Sequence, residues 1–319
     1  MRYQNPVWDG YFADPFVLRV ADEYYAYGTG GPADNGRQAD GRMFPLLHST
    51  DLVHWVQLGG ALTPLNDPAK PAYWAPEVAY ANGRYYLYYS AGGCEGENHH
   101  LRVAVSDSPA GPFEDQGHDL MPDEPFSIDA SPFRDPRDGR WYLFFAKDFF
   151  DGPRPGTGSA VVPLADDMLH VAGPVTTVLR ASADWQIFQR NRYWYGRVWP
   201  AWHTVEGPFA CFHDGRYYCF YSGGSWETPE YGVGYAVSES MAGPWVEPEE
   251  GPVVLRCIPG KVDGPGHNSL VLGPDNETTF MIYHAWNHGR TMRQICIDPL
   301  LWTPNGPRCD GPSTGPRSI

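Results

Sequence analysis

The sequence predicts an all-β fold, a five-bladed β-propeller, on the basis of three observations. A short aromatic strand recurs five times behind a turn, with starts about 55 to 75 residues apart in a chain of 319 residues. Runs of β-branched and aromatic residues follow these strands, alternate with polar positions and end at Gly, Pro, Asp and Ser. No segment has a sustained helical period. Units of three or four strands repeated at this spacing are typical of propeller blades, which protect their edges by radial repetition.

The five aromatic strands mark the five blades in chain order. They are DEYYAYGT (22–29), GRYYLYYS (83–90), GRWYLFFA (139–146), GRYYCFYS (215–222) and ETTFMIYHA (277–285). The strand-and-turn runs that follow them are clearest in three units, as LLHSTDLVHWVQLG (46–59), LRVAVSDSPAGPFEDQ (101–116) and YGVGYAVSESMAGPWVEP (231–248). Five such units fit within the chain.

The composition favours a single compact domain over residues 1–319. Apolar residues make up 42% of the chain and aromatic residues 15%, enough to bury a sizeable core, and no Ser/Gly-rich linker divides it. The 23 basic and 38 acidic residues give a net charge of −15, which repels phosphate backbones and anionic membranes. We therefore expect neither nucleic acid nor a membrane as a partner, and the oligomeric state stays open.

The amino terminus, MRYQNPVWDG, does not have the apolar segment that follows positive charge in a signal peptide. No run approaches the 18 apolar residues of a membrane span. We therefore expect a cytoplasmic protein, or a secreted one from which a leader has been removed.

The six cysteines have no CxxC or Cys/His metal spacing. Cys211 and Cys219 flank a turn and could face each other across a hairpin, so a disulfide is conceivable. Free thiols are favoured, as in cytosolic chains.

Three carboxylates stand in apolar or small-residue sequence, where a solvated surface charge is not expected. Asp14 lies in YFADPFVLRV, Asp129 in FSIDASPF and Glu206 in WHTVEGPFACF, each just ahead of an aromatic strand. Each alone could begin a turn or cap a loop. Together they are expected at equivalent places, the starts of innermost strands, where they converge on one face of the propeller. Burial and repulsion would then separate their pKa values, as acid–base catalysis requires.

These motifs resemble glycoside hydrolase family 43. The resemblance rests, in chain order, on ADPFV with Asp14, WAPEV at 74–78, SIDASPF with Asp129, VEGPF with Glu206 and GPGHNSLV at 264–271. It implies a five-bladed propeller that hydrolyses α-L-arabinofuranosides, β-D-xylosides or related plant linkages with inversion. It also implies that Asp14 is the general base, that Glu206 is the general acid, and that Asp129 tunes the pKa of the acid and orients it.

The inverting mechanism sets its own requirements. One protonated carboxyl donates to the leaving oxygen, and one ionised carboxylate, roughly 6.5 to 9.5 Å away, activates water on the opposite face. Glu206 must hold its proton near neutral pH, which Asp129 and the nearby rings of Trp199 and Trp202 could promote. Asp14 must remain ionised.

Further residues are expected around the sugar. Trp74, Phe16 and Trp202 are candidates for binding it, although core packing is the alternative for such rings. Arg293 resembles the family arginine that pairs with the pKa-tuning aspartate, or is a solvated strand cation. His267, in a GxGH motif, would donate toward the sugar or, as in several relatives, help to hold a structural Ca²⁺ near the axis; a satisfied buried histidine is the alternative. No cofactor is required, and no DxDxDG-type calcium loop is present.

The segment ADWQIFQRNRYWYGRVWPAWHT (183–204) is unusually rich in aromatic residues and holds Arg190, Arg192 and Arg197. Aromatic faces and arginine side chains are how proteins hold sugar rings and hydroxyls, so the segment is expected to shape the pocket rim and favour exo action. A packing or subunit contact is the alternative.

The sequence thus indicates an inverting glycosidase that releases a pentose, α-L-arabinofuranose first and β-D-xylose next, from arabinose- or xylose-containing oligosaccharides. One alternative is a carbohydrate-binding propeller without catalysis, which would be expected to have lost a carboxylate. Another is a related propeller enzyme of different specificity. Fructan-cleaving relatives carry an Asn-Asp-Pro-Asn start where this chain has Ala13-Asp14-Pro15-Phe16, and phosphorolysis would require a basic cluster.

Overall fold

The computed structural model describes residues 2–248 and 251–319. Within them the chain forms β-strands joined by turns, with two short 3-10 helices at Ala33–Gly36 and Asp184–Gln186. A search of this part of the chain finds no helix of the length and apolar character needed to cross a membrane.

The strands form the five antiparallel blades of a β-propeller. A short strand, β1 (Arg2–Tyr3), precedes them. The first blade contains β2 (Ala13–Val20), β3 (Glu23–Thr29), β4 (Met43–Ser49) and β5 (Val56–Leu62). The second contains β6 (Ala72–Ala81), β7 (Arg84–Gly92), β8 (His100–Ser106) and β9 (Glu114–Asp119).

The later blades follow the same plan, with one insertion. The third contains β10 (Ser127–Arg134), β11 (Trp141–Phe149), β12 (Gly156–Pro163) and β13 (Thr176–Leu179). After β14 (Ile187–Trp194), the fourth contains β15 (Arg197–His213), β16 (Arg216–Gly223) and β17 (Gly232–Ser238), and a bridge between Val237 and Val246 extends its outer edge. The fifth contains β18 (Asp263–Leu272), β19 (Thr279–Trp286), β20 (Arg293–Thr303) and β21 (Gly306–Cys309), and β22 (Arg317–Ser318) ends the chain.

The predicted aromatic strands are confirmed as β3, β7, β11, β16 and β19, the second strand of each blade. Their side chains alternate between the two faces of a sheet, and each face is buried against a neighbouring blade. Tyr24 and Ala26 pack against the fifth blade, whereas Tyr27 packs against the second. This position between two blades explains why the strands are apolar throughout.

The innermost strands close a ring, because β2, β6, β10, β15 and β18 each contact the next and β18 contacts β2. The two ends of the chain pair as β1 and β22. Asp298 of the fifth blade adds a second link, since it accepts hydrogen bonds from Tyr3 and Asn5. Non-covalent contacts therefore join the first and last segments of the chain.

The aromatic segment predicted as a rim forms a hairpin. β14 pairs with the first part of β15 and turns at Tyr195 and Gly196, both of positive φ, as a tight hairpin turn requires. The hydroxyl of Tyr195 donates to Asp148 Oδ2 at 2.8 Å, which fastens the hairpin to the third blade.

The cysteines are free thiols. Cys219 pairs in register with Ala210, and Cys211 pairs with Tyr218. Since adjacent positions on a strand point to opposite faces, the two thiols face different blade interfaces and the conceivable disulfide does not form.

Candidate active site

Each innermost strand contains a β-bulge at the same place, and a residue of positive φ lies in it. These residues and their φ angles are Asp14 (50°), Ala75 (48°), Asp129 (58°), Gly207 (56°) and His267 (51°). Bulges bend a strand and re-aim its side chains, and positive φ in non-glycine residues is a form of strain that clusters at functional sites.

The expected equivalence of the three carboxylates therefore holds for Asp14 and Asp129 only. Glu206 lies one residue before its bulge position, where the second blade has Trp74. Its strand also begins earlier, at Arg197, because the hairpin extends it. Gly207 occupies the bulge position instead, and a Cβ there would lie only 3.2 Å from the ring of His267.

The bulges surround a cavity of about 1090 Å³ at one face of the propeller. Asp14, Asp129 and Glu206 all line it, so the predicted convergence of the three carboxylates is present. Its aromatic lining includes Tyr11, Trp74, Phe126, Phe188, Trp194, Trp226 and Trp286.

Asp14 is a buried carboxylate surrounded by basic groups. Its Oδ1 accepts a hydrogen bond from Arg293 Nη1 at 3.1 Å and lies 3.4 Å from Nδ1 of both His267 and His284. Burial by itself would raise the pKa of Asp14, but the Arg293 charge, His267 and a hydrogen bond from Thr29 hold that pKa well below its usual range. Asp14 is therefore ionised at neutral pH.

His284 lies beside Asp14 as a neutral ring. Its Nδ1 accepts a hydrogen bond from the backbone N–H of Asp14 at 3.1 Å, so the proton of the imidazole sits on the other nitrogen. Burial, together with the charge of Arg293, lowers the pKa of His284 well below its usual range. The ring of Tyr231 stacks on it at a centroid distance of 5.9 Å.

Glu206 has the opposite electrostatic character. Burial raises its pKa to about 7, and the charge of Asp14 adds to the rise. The hydroxyl of Tyr231 donates to Oε1 of Glu206 at 2.8 Å and opposes the rise, because it favours the ionised carboxylate. Glu206 can therefore hold a proton near neutral pH and lose it to an acceptor.

Asp129 is a buried carboxyl whose pKa is raised, as that of Glu206 is. Its Oδ2 accepts a hydrogen bond from the backbone N–H of Gly207 at 2.8 Å. Burial raises the pKa of Asp129 to about 7; His267 opposes the rise, whereas the charges of Glu206 and Asp14 add to it. The charge of Glu206 thus disfavours the ionised form of Asp129.

Arg293 differs from the sequence expectation. The resemblance paired it with the pKa-tuning aspartate, Asp129, but its guanidinium bonds to Asp14 instead. Nε of Arg293 donates to the hydroxyl of Tyr11 at 3.1 Å, and the guanidinium lies 4.5 Å from the ring centroid of Trp226. It is buried rather than a solvated strand cation.

Of the other expected sugar-binding residues, Trp74 and His267 line the cavity, whereas Phe16 and Trp202 do not. Phe16 is two residues past the Asp14 bulge position and packs between the first and second blades. Trp202 is fully buried against Trp199, at a centroid distance of 5.1 Å, beneath the hairpin.

Trp74 stacks on a buried histidine. The ring of His99 lies 3.5 Å from it between centroids, at an interplanar angle of 14°. This contact fixes the orientation of the indole, which lines the cavity.

The hairpin contributes one of its three predicted arginines to the cavity. Arg192 lines it, together with Phe188 and Trp194, whereas Arg190 and Arg197 do not. Residues of β14 thus form part of the cavity wall, as expected for a hairpin at the rim.

Several site residues had no sequence signal of their own. Tyr231 acts on Glu206 from the start of another strand of the same blade, and His284 acts on Asp14 from the neighbouring blade. Trp226 and Trp286 stack on each other at 5.9 Å along the cavity wall. Only the folded ring brings them to the motif residues. For Trp226 and Trp286, the available hint in the sequence was that each follows shortly after an aromatic strand.

The described residues do not fit a directly coordinated calcium ion. They contain no group of three or more His, Cys, Asp or Glu side chains that could hold a metal. Nδ1 of His267 faces an Asp14 oxygen that already accepts a hydrogen bond from Arg293, whereas calcium prefers a cage of oxygen ligands. No step below depends on a metal.

Comparisons with known proteins show the family to which the chain belongs. The sequence matches the family model of glycosyl hydrolases family 43 over residues 3–307. The β-D-galactofuranosidase xynD of Aspergillus niger is 29% identical over 320 residues, which cover 95% of this chain and 83% of that protein. The extracellular exo-α-(1→5)-L-arabinofuranosidase of Streptomyces chartreusis is 26% identical over 309 residues, which cover 93% and 85%.

A solved structure extends the agreement to the fold. A thermostable family-43 glycoside hydrolase superimposes with a TM-score of 0.85 at 30% identity, and the match covers 99% of this chain and 98% of that one. The sequence match and the shared propeller each extend over nearly the whole chain. The resemblance drawn from the five motifs is therefore confirmed, and this chain is a glycosidase that belongs to glycosyl hydrolase family 43.

Proposed function

We propose that the protein is an inverting, exo-acting glycosidase that releases terminal α-L-arabinofuranose from plant-derived oligosaccharides, with β-D-xylose as the next candidate sugar. One observation carries the proposal. Asp14 and Glu206 line the same cavity with opposite pKa shifts, one held ionised and one able to keep a proton near pH 7. Inverting hydrolysis needs this pair of states.

Asp14 acts as the general base in this mechanism. Its ionised carboxylate accepts a proton from a water molecule, which attacks the anomeric carbon on the face opposite the leaving group. Arg293 keeps Asp14 ionised and limits its movement, since Oδ1 is held by the guanidinium. The second oxygen, Oδ2, is the one we assign to the water.

Glu206 acts as the general acid. It donates its proton to the glycosidic oxygen as the bond to the anomeric carbon breaks, and it becomes a carboxylate. The hydroxyl of Tyr231, already bonded to Oε1, stabilises that carboxylate as it forms.

Asp129 positions the acid rather than exchanging protons with the substrate. Its hydrogen bond from the N–H of Gly207 fixes the backbone directly after Glu206. Its charge also discourages ionisation of Glu206, because two neighbouring buried carboxyls do not readily ionise together.

The choice of sugar rests on the chemistry of furanose rings and on the relatives. One relative is named for exo action on α-(1→5)-linked L-arabinofuranose, and another for β-D-galactofuranose. These two sugars share the configuration of C2 to C4 and differ at the exocyclic carbon. β-D-Galactofuranose is therefore a further candidate beside β-D-xylose, and the room around that exocyclic group would separate it from α-L-arabinofuranose.

Exo action follows from the hairpin in this proposal. The side chains of Phe188, Arg192 and Trp194 form a wall of the cavity next to Glu206. A wall at this place favours a pocket that accepts a chain end over an open groove.

The test is hydrolysis of aryl α-L-arabinofuranoside, β-D-xyloside and β-D-galactofuranoside, followed by NMR. We expect the arabinofuranoside to give the first-formed sugar with inverted anomeric configuration. Asp14→Asn should abolish this release, and Asp22→Asn, which changes an exposed carboxylate outside the cavity, should not. A product of retained configuration, or activity that survives Asp14→Asn, would sink the mechanism, and release from another glycoside alone would correct the sugar.

A further inference from the structure

Arg192 on the hairpin strand β14 is a cation set among aromatic rings at the cavity wall. Its guanidinium carbon lies 4.6 Å from the ring centroid of Trp194, 4.9 Å from Phe188 and 5.4 Å from Trp202. The side chain is half-buried, and this burial lowers its pKa. Aromatic faces hold the plane of the guanidinium and leave the N–H groups on its edge available.

The other two cavity arginines already have carboxylate partners. Arg293 pairs with Asp14 at 3.1 Å, and Arg290 pairs with Asp263 at 3.4 Å. Within residues 2–248 and 251–319, the side chain of Arg192 makes neither an ion pair nor a hydrogen bond to a protein group. The charge of Asp148 acts on Arg192, but the two side chains form no ion pair, and the Asp148 oxygens accept hydrogen bonds from the hydroxyls of Thr157 and Tyr195.

Arg192 lies on the leaving-group side of the site. The charges that act on it are those of Asp148, Tyr195 and Glu206, and its own charge in turn lowers the pKa of Glu206. Since the acid Glu206 must contact the glycosidic oxygen, a group beside Glu206 faces the sugar that departs.

A desolvated arginine without a partner carries a cost that an anionic ligand removes. We propose that Arg192 binds the carboxylate of an acidic sugar on the leaving-group side, so that preferred substrates carry a uronic acid next to the released sugar. This inference rests on the proposed function and adds the class of aglycone. The planar guanidinium of arginine can donate two parallel hydrogen bonds to a carboxylate. Binding a neutral sugar hydroxyl would not need a charged side chain.

The experiment compares two glycosides of the released sugar, the 3-carboxyphenyl and the 3-carbamoylphenyl glycoside. The two aglycones are similar in shape and differ in charge. At pH 6 and low salt we expect kcat/KM of the wild type to be about tenfold higher for the carboxylate, since a hydrogen bond between two charged groups is about twice as strong as a neutral one. The preference should shrink as salt is added.

Arg192→Met should remove the preference, while Arg192→Lys should retain part of it, because lysine keeps the charge without the planar guanidinium. The matched control is Arg190→Met, which removes the same charge from an exposed position on the same strand outside the cavity. It should retain the full preference. A circular dichroism spectrum and a melting curve for each variant show that the hairpin and blades are intact.

The outcomes separate the two proposals. Equal kcat/KM for both glycosides in the wild type, or an Arg192→Met loss that is the same for both, overturns the acidic-aglycone inference and leaves the glycosidase mechanism standing. The same loss of preference in Arg190→Met would mean that long-range charge, not a contact, is responsible, and would also overturn it. No hydrolysis of either glycoside, for any of the candidate sugars, would reject the proposed function itself.

Discussion

Arg293, the first residue of β20, donates a hydrogen bond to Asp14, the second residue of β2, with 3.1 Å between Nη1 and Oδ1. The pair joins the last blade to the first, at the point where the ring of blades closes. It also fixes the charge state of the proposed base, because the guanidinium offsets the cost of burying a carboxylate. The closure of the fold and the ionisation of Asp14 therefore depend on the same contact.

Replacing Arg293 with Met should shift the acidic limb of the pH profile of kcat/KM to higher pH. The pKa of Asp14 is held low in the folded protein, so the base stays ionised until the pH falls far below its usual range. Without the guanidinium, burial dominates and Asp14 takes up a proton at higher pH. We expect an acidic limb at least about one pH unit above that of the wild type, so that kcat/KM measured from pH 3 to 9 falls at the acidic end in the variant and not in the wild type.

The matched control for this prediction is Arg290→Met, which also removes a cavity arginine but one that pairs with Asp263. Arg290→Met can change the magnitude of kcat/KM, but the pH of the acidic limb should be the same as in the wild type. Equal shifts in the two variants would show that the general positive charge of the cavity, and not the Arg293–Asp14 contact, sets the ionisation of the base.

Tyr231→Phe should shift the basic limb of the pH profile of kcat/KM to higher pH, for a different reason. The Tyr231 hydroxyl favours the ionised form of Glu206, whose pKa is about 7. Its removal raises that pKa, so the acid keeps its proton at higher pH. One hydrogen bond to a charged group corresponds to about one pH unit, and the same profile of kcat/KM measures it.

Tyr283→Phe serves as the control, since Tyr283 is also a buried tyrosine whose hydroxyl donates to a carboxylate, here Asp298 at 2.7 Å. It should lower the melting temperature and leave the basic limb unchanged. A basic limb that does not move in Tyr231→Phe would mean that Glu206 is not the group whose ionisation limits activity.

The carboxylates could be predicted from sequence because their surroundings are local. An aspartate between Phe12 and Phe16, or a glutamate directly before Gly-Pro and an aromatic strand, is conspicuous without knowledge of the fold. The repeat spacing likewise predicts the blades, since each aromatic strand is buried on both faces. Tyr231 and His284 escaped prediction because their contacts to Glu206 and Asp14 cross between strands and blades, and tyrosine and histidine are common in the core.

Phe16 and Trp202 show where local reasoning fails. Both stand near a carboxylate in sequence, and both were expected at the sugar. The bulge after Ala13 changes which side of the strand faces the axis, so Phe16 points into the interface between two blades. Trp202 belongs to the extension of β15 that supports the hairpin. Bulges are set by the register of paired strands, which a single sequence does not display.

Glu206→Ala should separate substrates by their leaving groups. A glycoside with a poor leaving group needs protonation of the departing oxygen, and its kcat/KM should fall about 10² to 10⁴-fold. An aryl glycoside with an acidic phenol departs without that help and should lose about tenfold or less. Equal losses on both substrates would count against Glu206 as the acid, and the basic limb near pH 7 should vanish from the profile of the variant.

Asp129→Asn should stabilise the fold above neutral pH. The folded-state pKa of Asp129, about 7, lies above its unfolded value of about 4, so its protonated form contributes stability below pH 4 that is lost as the pH rises to 7. Asparagine does not ionise and can still accept the hydrogen bond from Gly207. The difference in melting temperature between the variant and the wild type should therefore rise between pH 4 and 7 by at least about 2 °C and stay level above pH 7.

Asp119→Asn is the control of opposite sign. Burial opposes the ionisation of Asp119, but Lys70 and Arg102 hold its pKa low, so this variant should lose stability relative to the wild type over the pH range in which Asp119 ionises. A difference for Asp129→Asn that does not change between pH 4 and 7 would show that folding does not raise the pKa of Asp129, and would contradict the effect of burial assigned to it.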